Sequence, residues 1–426
     1  MTTVVATLPY SGNIHRTVLA NGMTLLAYHN PNVRSVNISG ALLAGNVYEQ
    51  PHERMVASLV SSMLMRGTQH RDFDTLYGQL EDVGGDLGVG AGVFRLGFNG
   101  KALAEDLPLL LDLLSDALRY PAFPEVHLDL IKKQRTTEIK YSEQDTRFRA
   151  NRAFRDTLYP HGHPFHNPLE GMLDSILAAT PDSLRAFHQR VYGAKGMTLV
   201  VVGNCDPLIV EAEAQRTFGD WHTTQPSQPP IPTITAPAIT QEKHTTIAGK
   251  TQSDIIMGTL GPSRFSPDYI PASIANSILG EFGMMGRLGH SIREEAGLAY
   301  YASSSLEGGD AQGSWSISAG VADKNIALTI QKAQDEVRRL TDELVSESDL
   351  TDNQSYYTGR QPLRLESSGG IAGMLETIER YQLGLDYLLH YNDMIYSITR
   401  EQVQQVASKY LNPDALVVSV AGASGE

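Results

Sequence analysis

The chain is written twice, and this repeat limits its possible folds more than any local propensity does. At an offset of about 218 residues, SVNISGAL from Ser35 to Leu42 lines up with SDIIMGTL from Ser253 to Leu260. Both are alternating strand patterns with glycine in the sixth place. The closing segments match as well: TPDSLRAFHQRVYGAKGMTLVVVGN (Thr180 to Asn204) parallels TREQVQQVASKYLNPDALVVSVAG (Thr399 to Gly422). Each reads as a capped helix, a tyrosine near its end, a turn and a buried strand. In this register Ser58 of the first half falls near Asn276 of the second.

The stretch HTTQPSQPPIPTITAPAITQEKH over 222–244 is dense in Pro, Thr and Gln without hydrophobic periodicity, which reads as an interdomain linker. It separates an N-terminal domain over 1–221 from a C-terminal domain over 245–426, and 426 residues exceed what one core usually fills. Within each half strands and helices are grouped, and the first opens on a hairpin with an Asn21-Gly22 turn. The expected class is α+β: two homologous sandwiches, each with helices on one face of a mostly antiparallel sheet.

A net charge of −14 without a basic run argues against nucleic-acid binding. The single cysteine, Cys205, excludes an intrachain disulfide framework and suits a reducing compartment. No run of 18 apolar residues occurs, and the first residues lack the charged and apolar regions of a signal peptide. A cytoplasmic protein that does not span the membrane is expected.

Chemistry-bearing motifs are few. No serine has the flanking glycines of a nucleophile elbow, and no phosphate-binding glycine loop occurs. His161, His163 and His166 form the one histidine cluster, in a proline-broken turn better read as structural than as a metal site. The stretch GNVYEQPHERMVASLVSSMLMRGT from Gly45 to Thr68 reads as a helix, with apolar residues at Met55, Val56, Leu59, Val60, Met63 and Leu64 and a stop at Arg66-Gly67. On it Ser58, Ser61 and Ser62 share a face, at the spacing where an inverted zinc-peptidase motif, H-x-x-E-H, carries two ligands and a base. Serine hydroxyls are poor zinc ligands and no base at neutral pH.

Several segments together carry a resemblance: GALLAGNVYEQ, MLMRGT, TEIKYSEQD, HGHPFHNPLEG, KTQSDIIMG and, most specific, GRLGHSIREEAGLAYYASS from Gly286 to Ser304. Over nearly its whole length the chain resembles the pitrilysin and insulinase-like zinc peptidases, the inverzincin group that includes mitochondrial processing peptidase and smaller bacterial relatives. The resemblance implies that Ser58, Ser61 and Ser62 mark a degenerate zinc site. Glu138 then stands where the family has its third ligand, and Gly88-Val89 replaces an Asn-Ala pair on the strand that receives substrate. It also implies that Arg293 and Tyr300 are the pair that reaches a substrate carbonyl. Gly283 and Gly286 lie in GEFGMMGRLG, where the family's non-catalytic subunit has a substrate-capturing loop; the same glycines equally suit a turn before a helix.

These implications describe a non-catalytic, substrate-binding subunit of a heterodimeric metallopeptidase that cleaves unfolded peptides. Such a chain holds no cofactor itself, while zinc sits in a homologous partner that carries H-x-x-E-H. The alternative is a peptide-binding or structural homodimer with no link to proteolysis.

Overall fold

The computed structural model describes residues 8–166, 171–281 and 285–423. In chain order its strands are β1 (Ile14–Val18), β2 (Thr24–His29), β3 (Ser35–Leu42), β4 (Asp86–Ala91), β5 (Leu96–Leu103), β6 (Thr198–Gly203), β7 (Gln241–Thr246), β8 (Gln252–Leu260), β9 (Ala299–Gly308), β10 (Gln312–Ala322) and β11 (Val417–Gly422). The helices of the first half are α1 (Val56–Met63), α2 (Phe73–Asp82), α3 (Leu107–Arg119), α4 (Glu125–Ser142), α5 (Thr146–Leu158), α6 (Met172–Ala178), α7 (Pro181–Val191) and α8 (Pro207–Phe218). Those of the second are α9 (Tyr269–Asn276), α10 (Ile326–Asp342), α11 (Glu347–Arg364), α12 (Ser368–Arg380), α13 (Tyr387–Tyr396) and α14 (Arg400–Tyr410).

The repeat is structural. One sheet runs β1-β2-β6-β3-β5-β4 and the other β7-β11-β8-β10-β9. Each has one parallel pair, β2 with β6 and β7 with β11; the remaining pairs are antiparallel. The equivalent helices α7 and α14 both start on a threonine capping box, at Thr180 and Thr399, which satisfies otherwise orphaned backbone donors. The hairpin turn lies at Asn21-Gly22, with Gly22 at a φ of 85° that favours glycine.

The compact units cut across the two sequence halves. One comprises 1–136, 171–230 and 360–391; the other comprises 137–170, 231–359 and 392–426. In the first unit Leu25, Ala27, Leu199 and Val201 join the main helical core, while Leu26, Tyr28, Val200 and Val202 face Ile371, Ala372 and Leu375 of α12. Successive strand residues point to opposite faces, so this sheet is covered on both sides, and the second cover comes from the other half of the sequence. The second unit does the same with α5. Arg147 of α5 stacks over Tyr301 on one face of β9, and Ser304, on the opposite face, bonds the carbonyl of Asn276 in α9. The expected α+β class of two helix-packed, mostly antiparallel sheets holds; the sequence did not show that each sheet's second face is covered by a helix from the other half. The expected linker also ends earlier than 244, because β7 begins at Gln241. As an edge strand exposed along most of its length, β7 needs no hydrophobic pattern.

Candidate functional site

The helix expected over Gly45 to Thr68 is shorter, because Pro51 breaks the stretch: Asn46–Tyr48 form a separate 3-10 turn, and α1 buries Val56, Leu59, Val60 and Met63 of the apolar stripe. Its start is fixed by Glu49, whose carboxylate accepts from the N–H groups of Met55 (3.3 Å) and Ala57 (2.8 Å). Burial pushes Glu49 up to about 7 against the opposing pull of these bonds.

The hydroxyls of Ser61 and Ser62 are engaged by the fold, and Ser58 takes part through its backbone carbonyl. Ser61 is 7% exposed; its Oγ donates to the Ser58 carbonyl (3.2 Å) and accepts from the Ala91 N–H of β4 (3.1 Å). Ser62 Oγ donates to the same carbonyl (3.0 Å) and accepts from the Arg135 guanidinium of α4 (3.3 Å). Glu138 follows Arg135 by three residues on α4 and is exposed. These residues do not fit a zinc ion: the face offers only hydroxyls, those of Ser61 and Ser62 already engaged, and a guanidinium stands beside Ser62 where a dication would have to be held.

Ser61 also modifies a sheet edge. Strand β4 ends its sheet. The Gly92 N–H bonds the Arg95 carbonyl, and in the β4–β5 register this turns the backbone groups of Gly88 and Gly90 towards β5 and those of Leu87, Val89 and Ala91 outwards. Ser61 takes the outermost of these donors. Leu87 and Val89 keep theirs on the open edge.

The second-half segment is built differently. The chain leaves α9 through π-type turns at Ser277–Glu281 and Gly289–Glu295, which often mark functional segments. The second turn ends in a left-handed glycine cap. Gly297 adopts a φ of 60°, and the Leu298 N–H returns to the Ile292 carbonyl at 3.0 Å. This cap leads directly from the turn carrying Arg293 into β9, which starts at Ala299 and carries Tyr300. The acidic neighbours of Arg293 are taken by His290, whose Nδ1 lies 3.1 Å from Glu294 and whose Nε2 lies 3.3 Å from Glu295. Among the described residues Arg293 has no hydrogen bond or ion pair, and it is exposed. Tyr300 is 68% exposed. Its neighbour Tyr301 faces the other side of the strand and donates its hydroxyl to Asp254.

Gly283 lies outside the described residues. A Cβ on Gly286 would come within 2.7 Å of the Gly280 Cα, and one on Gly280 within 2.8 Å of the Ser304 nitrogen, so close packing requires both glycines. In the histidine turn, His163 is buried and pushed down to about 4 chiefly by that burial. Among the described residues no group of three His, Cys, Asp or Glu is placed to hold a metal ion. Burial raises the Cys205 thiol, as suits an unreactive cysteine. No helix among the described residues is long and apolar enough to cross a membrane. Sequence reasoning missed Arg135, Glu49 and His290. Only His290 left a signal, its i,i+4 spacing to Glu294.

Residues 24–167 match the family model described as insulinase (peptidase family M16), and residues 178–356 match that of the peptidase M16 inactive domain. Among curated relatives, an uncharacterized zinc protease of Streptomyces coelicolor is 23% identical over 94% of this chain and 88% of its own. Another, from Mycobacterium leprae, is 25% identical over 94% and 90%. The crystal structure of a peptidase M16 inactive domain from Pseudomonas fluorescens superposes with a TM-score of 0.88 at 25% identity, covering 97% of this chain and 98% of that one. A protease from Helicobacter pylori shares the fold, with a TM-score of 0.82 at 17% identity over 97% and 100%. With both halves matched by the family's two models, and with serines where its zinc motif would stand, the chain belongs to the M16 (insulinase) peptidase family as a peptidase-like member without that motif.

Proposed function

We propose that this chain is the substrate-positioning subunit of a two-chain zinc peptidase, paired with a homologue that carries H-x-x-E-H. One observation carries the reading: among the described residues Arg293 and Tyr300 stand exposed and unengaged, while the hydroxyls of Ser61 and Ser62 on α1 are tied into the fold. A guanidinium and a phenol can hold a peptide carbonyl in register and stabilise the charge that develops on it. The partner supplies zinc and the activated water; this chain supplies the carbonyl contacts and one wall of a closed chamber that admits unfolded peptides.

The test is hydrolysis of a quenched, unstructured peptide by this chain alone and mixed with its H-x-x-E-H homologue, each with and without chelator. Chelator-sensitive activity confined to the mixture supports the proposal, and activity of the chain alone overturns it. A second reading, a peptide-binding homodimer without proteolysis, draws support from the open edge of β4, where Leu87 and Val89 present donors and acceptors to an added strand. Peptide binding with no hydrolysis in any mixture would favour it.

A further inference from the structure

Tyr300 sits at a break of register on β9, which ends its sheet. Ala299 faces Val321 of β10 and Tyr301 faces Gly320, so Tyr300 is one extra residue in the ladder. Bulges of this kind gather at sheet edges and beside functional sites, where they re-aim a side chain. An edge strand is bonded on one side only, so the ladder alone holds such a bulge weakly.

Two anchors flank Tyr300. On one side both backbone groups of Leu298 are bound, its N–H by the Ile292 carbonyl at 3.0 Å and its carbonyl by the Asn325 side-chain amide at 3.2 Å. On the other side Asp254, Gly320 and Tyr301 lie level across β8, β10 and β9. Neighbouring strands are about 4.8 Å apart, so Tyr301 has to reach across the whole width of β10 to give its hydroxyl to Asp254. It can do so because the residue between them has no side chain: a Cβ on Gly320 would lie 2.6 Å from the Tyr301 Cε1 and 3.1 Å from its Cδ1. Helix α5 closes the arrangement from above. The Arg147 guanidinium carbon stands 4.8 Å from the Tyr301 ring centroid, and Thr146 donates to the second Asp254 oxygen at 2.5 Å.

A hydrogen bond to a carboxylate is strong and directional. It fixes the ring, the ring fixes the backbone at Tyr301, and that backbone ends the bulge. We infer that Tyr301 and Asp254, joined across Gly320, are positioning residues that lock the bulge and so set the direction of Tyr300. The functional half of this inference rests on Tyr300 being a substrate contact, as proposed above; the lock itself does not.

The test compares Tyr301→Phe, Gly320→Ala, Asp254→Ala and Asp254→Asn in the full chain. Tyr301→Phe loses only the donor, Gly320→Ala keeps both partners but pushes the ring aside, and Asp254→Asn retains an acceptor. Amide hydrogen exchange over 298–302 should quicken about tenfold in the first three, and Asp254→Asn should restore most of what Asp254→Ala loses. In a reconstituted pair with the H-x-x-E-H homologue, Tyr301→Phe should lower kcat about tenfold and leave KM nearly unchanged, as loss of a contact made in the transition state does. In a Tyr300→Phe background it should add nothing further. The inference fails if exchange over 298–302 is unchanged in both Tyr301→Phe and Gly320→Ala, or if the effects of Tyr301→Phe and Tyr300→Phe on kcat simply add. If exchange quickens while Tyr300→Phe leaves kcat/KM unaltered, the lock stands and the substrate role of Tyr300 falls.

Discussion

Helix α1 in the first half and the segment from Gly289 to Tyr300 in the second treat their polar groups in opposite ways. On α1 the Ser61 and Ser62 hydroxyls both donate to the Ser58 carbonyl, and each accepts from a neighbouring element. In the second-half segment His290 occupies the two glutamates that would otherwise hold Arg293. A degenerate site is thus recognised by more than lost ligands. Neighbouring groups have closed over Ser61 and Ser62, whereas among the described residues Arg293 keeps its donors unengaged.

The largest effect comes from trying to reopen α1. With Ser58→His, Ser61→Glu and Ser62→His, the chain regains the family's motif, but Arg135 remains beside position 62. A guanidinium about 5 Å from a dication costs several kcal/mol at an effective dielectric constant near 20. Elemental analysis of the triple variant should therefore find little zinc, and adding Arg135→Ala should raise it towards one ion per chain. Stoichiometric zinc in the triple variant would mean that the guanidinium is no obstacle.

On the other side of the comparison, Arg293→Ala should lower the kcat/KM of a reconstituted pair about 100-fold or more, with Tyr300→Phe somewhat milder. Both side chains are exposed and unengaged, so the melting temperature of the isolated chain should hardly change. Full activity in both variants would remove the proposed role, and a large loss of stability would mean that the segment is structural like α1.

Much of this contrast was legible in the sequence, and the remainder had physical reasons for being hidden. The repeat foretold two equivalent sheets because each pairs the same patterns in the same order. The strand run LVVV at Leu199 to Val202 carried a further message, since a continuous apolar strand is covered on both faces. It could not say that α12 supplies the second cover, because an amphipathic helix records that it has a partner without recording which. The resemblance in the motif around Gly297 singled out Arg293 and Tyr300, and the structure adds that both side chains are exposed. Arg135 was not legible, since a single arginine on an exposed-looking helix says nothing about a distant Ser62.

Glu49 offers a third measurement, because it anchors the start of the closed helix. Its pKa is raised by burial to about 7 from 4.5. A carboxyl raised in the folded state contributes stability below its unfolded pKa and loses it as pH rises through the folded value. The contribution should therefore be complete below about pH 4.5 and fall by roughly 3 kcal/mol by pH 8. Glu49→Gln keeps an acceptor for the Ala57 N–H and removes the titration. The variant should thus gain on the unsubstituted chain between pH 5 and pH 8 in denaturant midpoint; parallel pH profiles would show that Glu49 is not strained by burial.

The smallest effect separates the serines from one another. Ser61→Ala removes the acceptor of the Ala91 N–H and a donor to the Ser58 carbonyl at a position 7% exposed. It should cost about 1–2 kcal/mol of stability and loosen the end of β4, with faster amide exchange at Ala91. Ser62→Ala releases Arg135 at a half-buried position. Water can replace the lost hydroxyl there, so the cost should stay under about 1 kcal/mol. Neither change should alter the kcat/KM of a reconstituted pair, since on this reading α1 holds the sheet edge and touches no reacting atom. If Ser61→Ala abolished activity while leaving Ala91 exchange unchanged, the closed helix would have to be counted with Arg293 and Tyr300 among the groups that meet substrate.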